Sequence, residues 1–141
     1  MEATGRAEAH LWLATDAPDL VFFVYLEEVD GGGQSTYITE GALRASHRRL
    51  GRAPYANLGA PFHSHYQSDL ASIPPKLPVE LVFSLLSISH RFPKGSRVRI
   101  TVAFAGADNF ETPVIDPAPK VTVLRGGSYP SFVQLPIISS R

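Results

Sequence analysis

The sequence of 141 residues contains no cysteine, and its 13 Lys and Arg residues balance its 13 Asp and Glu residues. Without cysteine, the chain has no disulfide, no thiolate metal ligand, no iron–sulfur cluster and no cysteine nucleophile. The balanced charge argues against nucleic acid or an anionic membrane as the main partner. No apolar run approaches the roughly 20 residues of a membrane span. The composition therefore calls for no cofactor, and its 44% of hydrophobic residues are enough for a packed core.

The length predicts one domain over residues 1–141, since we find no internal repeat, low-complexity tract or linker. The first ten residues, MEATGRAEAH, lack the basic start and the apolar block of a secretory signal. We therefore expect no export signal in this chain and favour the cytoplasm, although the missing cysteines leave the compartment open.

The 12 Pro and 11 Gly residues fall at the edges of short apolar runs, which is typical of an all-β domain. These runs predict a β-sandwich of seven or eight strands, a jelly roll of the galactose-binding-domain type. We expect Gly41 to mark a bulge or a break, and residues 51–78 and 106–119 to be loops. The predicted strands are 6–14, 20–29, 35–40, 79–89, 97–105, 120–125 and 131–138, with a hairpin turn at 30–33.

Strand 20–29 is apolar on both faces, with Phe22, Val24 and Leu26 on one and Val21, Phe23 and Tyr25 on the other. A sheet with one wet face would alternate apolar and polar residues, so we expect an apolar cover over the second face. The cover could be the loop 51–78, another domain or another subunit. In strand 97–105, the residues Val98, Ile100, Val102 and Phe104 are predicted to point inward. Our interface candidates are Trp12, Val21, Phe23, Tyr25, His63, His65 and Tyr66.

Four stretches occur in an order that resembles one family: EATGRAEAHLWLATDAPD, FFVYLEEVDGGGQSTYITEGALRASHR, FPKGSRVRITVA and PSFVQLPII. The chain is similar to the C-terminal non-catalytic domain of the X-Pro dipeptidyl-peptidase, cocaine esterase and α-amino-acid ester hydrolase group. The usual Asp-Thr-Asp-Phe run reads DLVF here, and the usual Gly-His-Arg reads Gly95-Ser96-Arg97. The matching motif residues are Thr4-Gly5, Asp19, Val29 to Gly33, Glu40 to Arg44, Phe92 to Arg97 and Leu135-Pro136.

The resemblance implies an accessory jelly roll that follows an α/β-hydrolase catalytic domain in the same polypeptide. That catalytic domain would hydrolyse ester or amide bonds, including X-Pro dipeptidyl bonds, and would hold the nucleophilic serine. We assign no catalytic residue to this chain, because it contains no Gly-x-Ser-x-Gly pentapeptide. A homodimer is a second expectation for the partner, and a self-assembling structural protein is a weaker one.

Two clusters of polar residues admit a functional and a plainer interpretation. His63, His65 and Asp69 could contribute to a zinc site, although we favour an ordinary surface loop because no companion pair of ligands occurs elsewhere. The densest group of cations could receive a phosphate or a carboxylate, or could be a solvated surface paired with nearby acids. That group consists of Arg44, His47, Arg48, Arg49 and Arg52, and the resemblance implies structural contacts or an interdomain ion pair for Arg44.

Three aromatic residues support an alternative function. Trp12, Tyr25 and Tyr37 could form a flat platform for sugar rings, which would make the chain a stand-alone carbohydrate-binding module. The other interpretation is that these rings are anchors in the core or in an interface.

Overall fold

The computed structural model describes residues 1–104 and 116–138. Apart from two short 3-10 turns, Ala45–His47 and Gln67–Asp69, its regular structure is β-strand, which confirms the all-β class. The strands are β1 (Glu2–Gly5), β2 (Glu8–Thr15), β3 (Val21–Val29), β4 (Ser35–Arg44), β5 (Val79–Ser84), β6 (Ile88–Arg91), β7 (Arg97–Ala103), β8 (Val121–Leu124), β9 (Phe132–Gln134) and β10 (Ile137–Ile138).

The strands pair antiparallel in three sheets. Sheet A has the order β10-β1-β6, sheet B has the order β5-β2-β8 with β9 also paired to β2, and sheet C has the order β4-β3-β7. β1 continues into β2, β5 into β6 and β9 into β10, each after a short bend. Sheets A and B therefore form one bent layer of a β-sandwich, and sheet C forms the other layer.

The core lies between these two layers. Successive side chains of a strand point to opposite faces, so each strand contributes alternate residues. Leu11 and Leu13 of β2 belong to the same buried cluster as Phe22 and Val24 of β3, so the face of strand 20–29 with Phe22, Val24 and Leu26 is the inner one. Ile73 reaches the same core from the loop that precedes β5, and only 2% of its surface is exposed.

The strand predicted for 79–89 is divided into β5 and β6 because two consecutive amides bond to different layers. The Leu85 N–H donates to the Ala7 carbonyl at 2.9 Å, and the Leu86 N–H donates to the Glu40 carbonyl in β4 at 2.8 Å. The chain thus leaves one layer to touch the other. The hydrogen bond between Leu86 and Glu40 joins residues that are distant in sequence, so the local hydrophobic pattern of 79–89 could not predict it.

Pro136 divides the last predicted strand, 131–138, in a similar way. Proline has no N–H to donate to a ladder, whereas its carbonyl accepts the Thr4 N–H at 3.0 Å. The Pro136 ring lies 3.2 Å from the place that a Cβ atom on Gly5 would take, and Gly5 has φ +129°, which residues with a side chain rarely adopt. Two of the motifs that carried the family resemblance therefore meet at one bend.

The expectation of a bulge or break at Gly41 is wrong. β4 runs without interruption over Ser35–Arg44, and the irregular pairing lies instead between Leu26 and Glu27 of β3. A Cβ atom on Gly41 would lie 2.6 Å from the Ser84 carbonyl oxygen. Glycine is needed here because the backbones of the two layers approach too closely for a side chain.

The inward orientation predicted for strand 97–105 is correct in direction and incomplete in burial. Val102 packs against the core, but Val98, Ile100 and Phe104 keep 38%, 37% and 44% of their surface exposed. The reason is position, since β7 pairs with β3 at the margin of sheet C, beyond the centre of the core.

The observed turns and loops agree with those predicted from the sequence, within the residues that the structure describes. In the β3–β4 hairpin, the Asp30 Oδ1 atom accepts the N–H of Gly32 at 2.8 Å and that of Gln34 at 2.9 Å. The segment 51–78 is irregular apart from one 3-10 turn, as predicted. The predicted loop 106–119 lies outside the described residues except at 116–119.

Candidate docking surfaces

An ion pair fixes the place where the chain leaves β4. Arg44 Nε donates to Asp19 Oδ2 at 2.6 Å, and the Ser46 N–H donates to Asp19 Oδ1 at 2.8 Å. Burial would raise the pKa of Asp19, but the hydrogen bonds from Arg44 and Ser46 and the charge of Arg44 outweigh it, so the pKa lies below its ordinary value. Arg44 therefore makes a contact within the domain, between two of the family motifs.

Arg48 joins the two ends of the segment between β4 and β5. Its guanidinium donates to the carbonyls of Ala45 at 3.1 Å and Ser72 at 3.1 Å, and also to that of Ala71. The Ala71 N–H in turn donates to the Ser46 carbonyl at 2.9 Å. These bonds close residues 49–72, which we call the long loop, into a ring.

The first half of the long loop is folded against itself and against the start of β2. The Gly51 N–H donates to the Phe62 carbonyl at 2.9 Å. Asn57 and Ala60 form a turn, in which the Ala60 N–H donates to the Asn57 carbonyl at 3.1 Å and Asn57 Nδ2 donates to the Ala60 carbonyl at 2.7 Å. The Arg6 guanidinium donates to the Asn57 carbonyl at 3.3 Å.

The second half is anchored through His63 and Asp69. The two ring nitrogens of His63 lie 2.9 Å from the Val82 carbonyl oxygen in β5 and 3.2 Å from the Arg49 carbonyl oxygen. Asp69 accepts the Ser64 hydroxyl at 2.5 Å, and its other oxygen lies 3.7 Å from the Arg49 guanidinium. The long loop is thus an ordered structure that is bonded at both ends and in the middle.

The loop brings together two predicted residues and one unexpected neighbour. The His65 ring lies 6.1 Å from that of His63 and 5.0 Å from that of His47, between ring centroids. Burial lowers the pKa of His65, and the charges of His47 and His63 lower it further. Asp69 bonds elsewhere, and within residues 1–104 and 116–138 no three His, Asp or Glu side chains form a group that could hold a metal ion.

The outer side of the long loop exposes large apolar side chains. Leu58 has 91% of its surface exposed, Tyr66 has 70%, Tyr55 has 63% and Leu50 has 53%. Of these four, only Tyr66 is among the interface candidates predicted from the sequence. The other three could have been predicted from the combination of large apolar residues with Pro and Gly in a stretch that has neither the strand nor the helix period, because such a stretch is a loop that leaves apolar side chains exposed.

Three other interface candidates lie together on the outer face of sheet C. Phe23 is buried, with 2% of its surface exposed, whereas Val21 and Tyr25 are half-buried. The rings of Phe23 and Tyr25 are stacked at 6.4 Å, and Phe23 borders an open groove of about 470 Å³. Tyr37 is on the same face, since it pairs with Glu27, two residues beyond Tyr25 on β3. Burial raises the pKa of Tyr37, and the charges of Glu40 and Tyr25 raise it further.

The polar part of this face is a network around Glu27. Arg99 donates two hydrogen bonds to its carboxylate at 2.8 and 2.9 Å, Thr101 donates one at 2.5 Å and Ser35 donates one at 2.9 Å. The bonds from Arg99 and Thr101 are the main cause that lowers the pKa of Glu27 to about 2, and burial opposes them.

Trp12 lies on the outer face of sheet B, near two aromatic residues, Tyr129 and Phe132, that were not among the sequence candidates. Its ring is 5.1 Å from that of Tyr129, and beside it the rings of His10 and Phe132 are stacked at 4.3 Å. Phe132 and Tyr129 keep 47% and 39% of their surface exposed. Glu8 accepts a hydrogen bond from His10 at 2.7 Å at the edge of this aromatic strip.

The sandwich separates the residues of the sugar-binding alternative. Trp12 points away from the core on sheet B, and Tyr25 and Tyr37 point away from the core on sheet C. The three rings therefore lie on opposite sides of the domain and do not form one platform. The interface candidates likewise fall on three separate surfaces: the outer face of sheet B, the outer face of sheet C and the long loop.

The fold and these surfaces define a class: an antiparallel β-sandwich that carries aromatic rings and ion pairs on its outer faces. No helix in the described ranges 1–104 and 116–138 is long and apolar enough to cross a bilayer. The chain belongs to the family of the X-Pro dipeptidyl-peptidase C-terminal non-catalytic domain, whose model matches residues 1–134. The family resemblance in the sequence is thereby confirmed.

Longer proteins contain this domain as one part. The chain is 40% identical over 142 residues to proteins from Mycobacterium bovis and Mycobacterium tuberculosis that carry the name serine esterase. These matches cover 98% of the chain and 22% of each relative, so the chain spans about a fifth of the length of the curated relatives it matches.

Solved structures share the fold at low sequence identity. A CocE/NonD family hydrolase from Staphylococcus aureus has a TM-score of 0.79 and 21% identity, with 98% of this chain and 28% of that one covered. An aminopeptidase from a marine sediment archaeon of the Thaumarchaeota has a TM-score of 0.70 and 18% identity, with 98% and 24% covered.

Proposed function

We propose that this chain is the non-catalytic accessory domain of a serine hydrolase. It packs on an α/β-hydrolase catalytic domain of the same polypeptide, which cleaves ester or amide bonds, and it stabilises that domain. The observation that carries the proposal is the 40% identity to serine esterases across 98% of the chain and only 22% of their length. The exposed apolar side chains of the long loop support it, because such side chains on one domain are commonly covered by another.

The chemistry of the hydrolysis belongs to the other domain. In such enzymes a serine attacks the carbonyl carbon, a histidine moves the proton, and backbone N–H groups stabilise the oxyanion. This chain contributes surface and stability to that reaction. Its substrate contacts, if the domain borders the entrance, would come from its loops.

The test begins with the native polypeptide that carries this sequence. An antibody against the 141 residues is used on the source cells, and the same extract is treated with a fluorophosphonate, which labels reactive serines. We expect one band, several times heavier than the 15.3 kDa of this chain, that the antibody recognises and the fluorophosphonate labels. In a heated extract, where the enzyme is unfolded, the fluorophosphonate should not label this band. A native band of 15.3 kDa that takes no label would overturn the proposal.

A further inference from the structure

We infer that the domain docks on its catalytic partner through the outer side of the long loop, and this inference rests on the proposed function. The occupant is the surface of the hydrolase domain, with an apolar patch and a carboxylate that faces Arg52. We call the docking residues the loop surface: Leu50, Arg52, Tyr55, Leu58 and Tyr66.

The long loop exposes several large apolar side chains. Four large apolar side chains, with 53% to 91% of their surface exposed, project from one loop. Single exposed apolar side chains are common on soluble proteins, but a group of this size on one ordered segment is typical of a binding surface. Leu86, beside the groove at Phe23, is also exposed at 65%, but within residues 1–104 and 116–138 the two most exposed large apolar side chains, Leu58 and Tyr66, both belong to the long loop.

The loop surface is held in one conformation by hydrogen bonds within the domain. Leu58 is the most exposed of the group, and its φ of 53° is a backbone conformation that costs a leucine about 1 kcal/mol or more. The Asn57–Ala60 turn and the Arg6 hydrogen bond hold it there. A loop that is already ordered loses little conformational entropy on docking, so this arrangement favours binding of a partner.

The loop surface carries a positive charge at Arg52. Residues 49–70 contain two arginines, Arg49 and Arg52, and a single carboxylate, Asp69. Asp69 is 3.7 Å from Arg49, and Arg52 has no carboxylate partner within the described residues. The charge of Arg52, on the same loop as these apolar side chains, is complementary to a carboxylate on the partner, which fixes orientation more than it adds affinity.

The experiment measures whether position 58 is covered in the native full-length polypeptide. This chain has no cysteine, so Leu58→Cys and Leu77→Cys each introduce one reporter into this part of the protein. Leu77 is the matched control, because it is an exposed leucine, 59% accessible, outside the long loop. The rate of maleimide labelling of each is measured in the native and in the urea-unfolded polypeptide, by peptide mass spectrometry.

We expect native labelling at position 58 to be at least tenfold slower than at position 77, and equal labelling at both positions after unfolding. Because the contact of Arg52 with the partner is ionic, salt at about 1 M should speed labelling at position 58 and leave position 77 unchanged. A second measurement uses Leu58→Asp together with Tyr66→Asp, which should shorten the half-life of ester hydrolysis on heating, whereas Leu77→Asp should not.

The outcomes separate this inference from the proposed function. If the polypeptide is a long, serine-labelled hydrolase and positions 58 and 77 are labelled equally fast, the loop surface is not the docking site while the accessory role stands. If the native polypeptide is a 15.3 kDa chain without a reactive serine, the accessory role and the inference fall together.

Discussion

Glu27 shows how far a single side chain near the surface can depart from its ordinary chemistry. Its carboxylate accepts four hydrogen bonds, from Arg99, Thr101 and Ser35, and its pKa is lowered from 4.5 to about 2. The folded state therefore binds fewer protons at this position than the unfolded state. The resulting stability is present above pH 4.5 and is lost as the pH falls towards 2.

We predict that Glu27→Gln weakens the acid dependence of folding. The variant should lose about 1 kcal/mol at pH 7, a value reduced for solvent screening because Arg99 is half exposed. Its difference from the unmodified chain should shrink between pH 4.5 and 2, where Glu27 itself becomes protonated. Urea unfolding across this pH range measures both effects, and Glu2→Gln is the control, because the Glu2 side chain is exposed and has no hydrogen-bond or ion-pair partner among residues 1–104 and 116–138. An equal difference at every pH would contradict the prediction.

At the scale of strands, the close approach of the two layers depends on Gly41. A methyl group at this position would meet the Ser84 carbonyl oxygen at 2.6 Å and the Leu85 Cα atom at 3.0 Å. Both are backbone atoms, which cannot rotate away as a side chain could. The hydrogen bond from the Leu86 N–H to the Glu40 carbonyl beside it would be strained.

We predict that Gly41→Ala destabilises the domain by about 1–3 kcal/mol, the usual cost of overpacking. Gly31→Ala is the control, since nothing lies within 4 Å of its added Cβ atom and its φ is ordinary. Urea unfolding followed by circular dichroism gives the two free energies of unfolding. Equal values for the two variants would show that the layers can separate at this point without cost.

The strands also show what the sequence can predict. The period-two pattern correctly grouped Phe22, Val24 and Leu26 on one face of β3, because the alternation of side chains is a local property of an extended strand. The division of 79–89 was not predicted, because it arises when Leu86 bonds to Glu40, far away in sequence. Leu58 and Tyr66 are both exposed on the long loop, and only Tyr66 was among the residues selected from the sequence, since no local pattern states which loop side chains a fold leaves uncovered.

At the scale of the whole molecule, one hydrophobic cluster includes residues of both layers and of the segment before β5. Leu13 of sheet B, Phe22 of sheet C and Ile73 of that segment belong to the same core. A single core that every layer shares predicts a cooperative transition, because no layer keeps its apolar face covered after another has left.

We therefore predict that the 141-residue chain unfolds in one step. Trp12 is the only tryptophan and reports on sheet B, whereas far-ultraviolet circular dichroism reports on all strands. Urea midpoints from the two signals should coincide. A fluorescence midpoint clearly below that of the circular dichroism would mean that sheet B separates first and that the core is divided.

The β3–β4 hairpin has a practical consequence. Its tip is exposed at every position from 30 to 34, and its amides bond to the side chain and carbonyl of Asp30 rather than to the body of the domain. Lengthening such a tip costs mainly loop-closure entropy, which grows slowly with length. An epitope or a fluorophore inserted between Gly31 and Gly32 would serve as a handle for immobilising or imaging the molecule, with the loop surface left free.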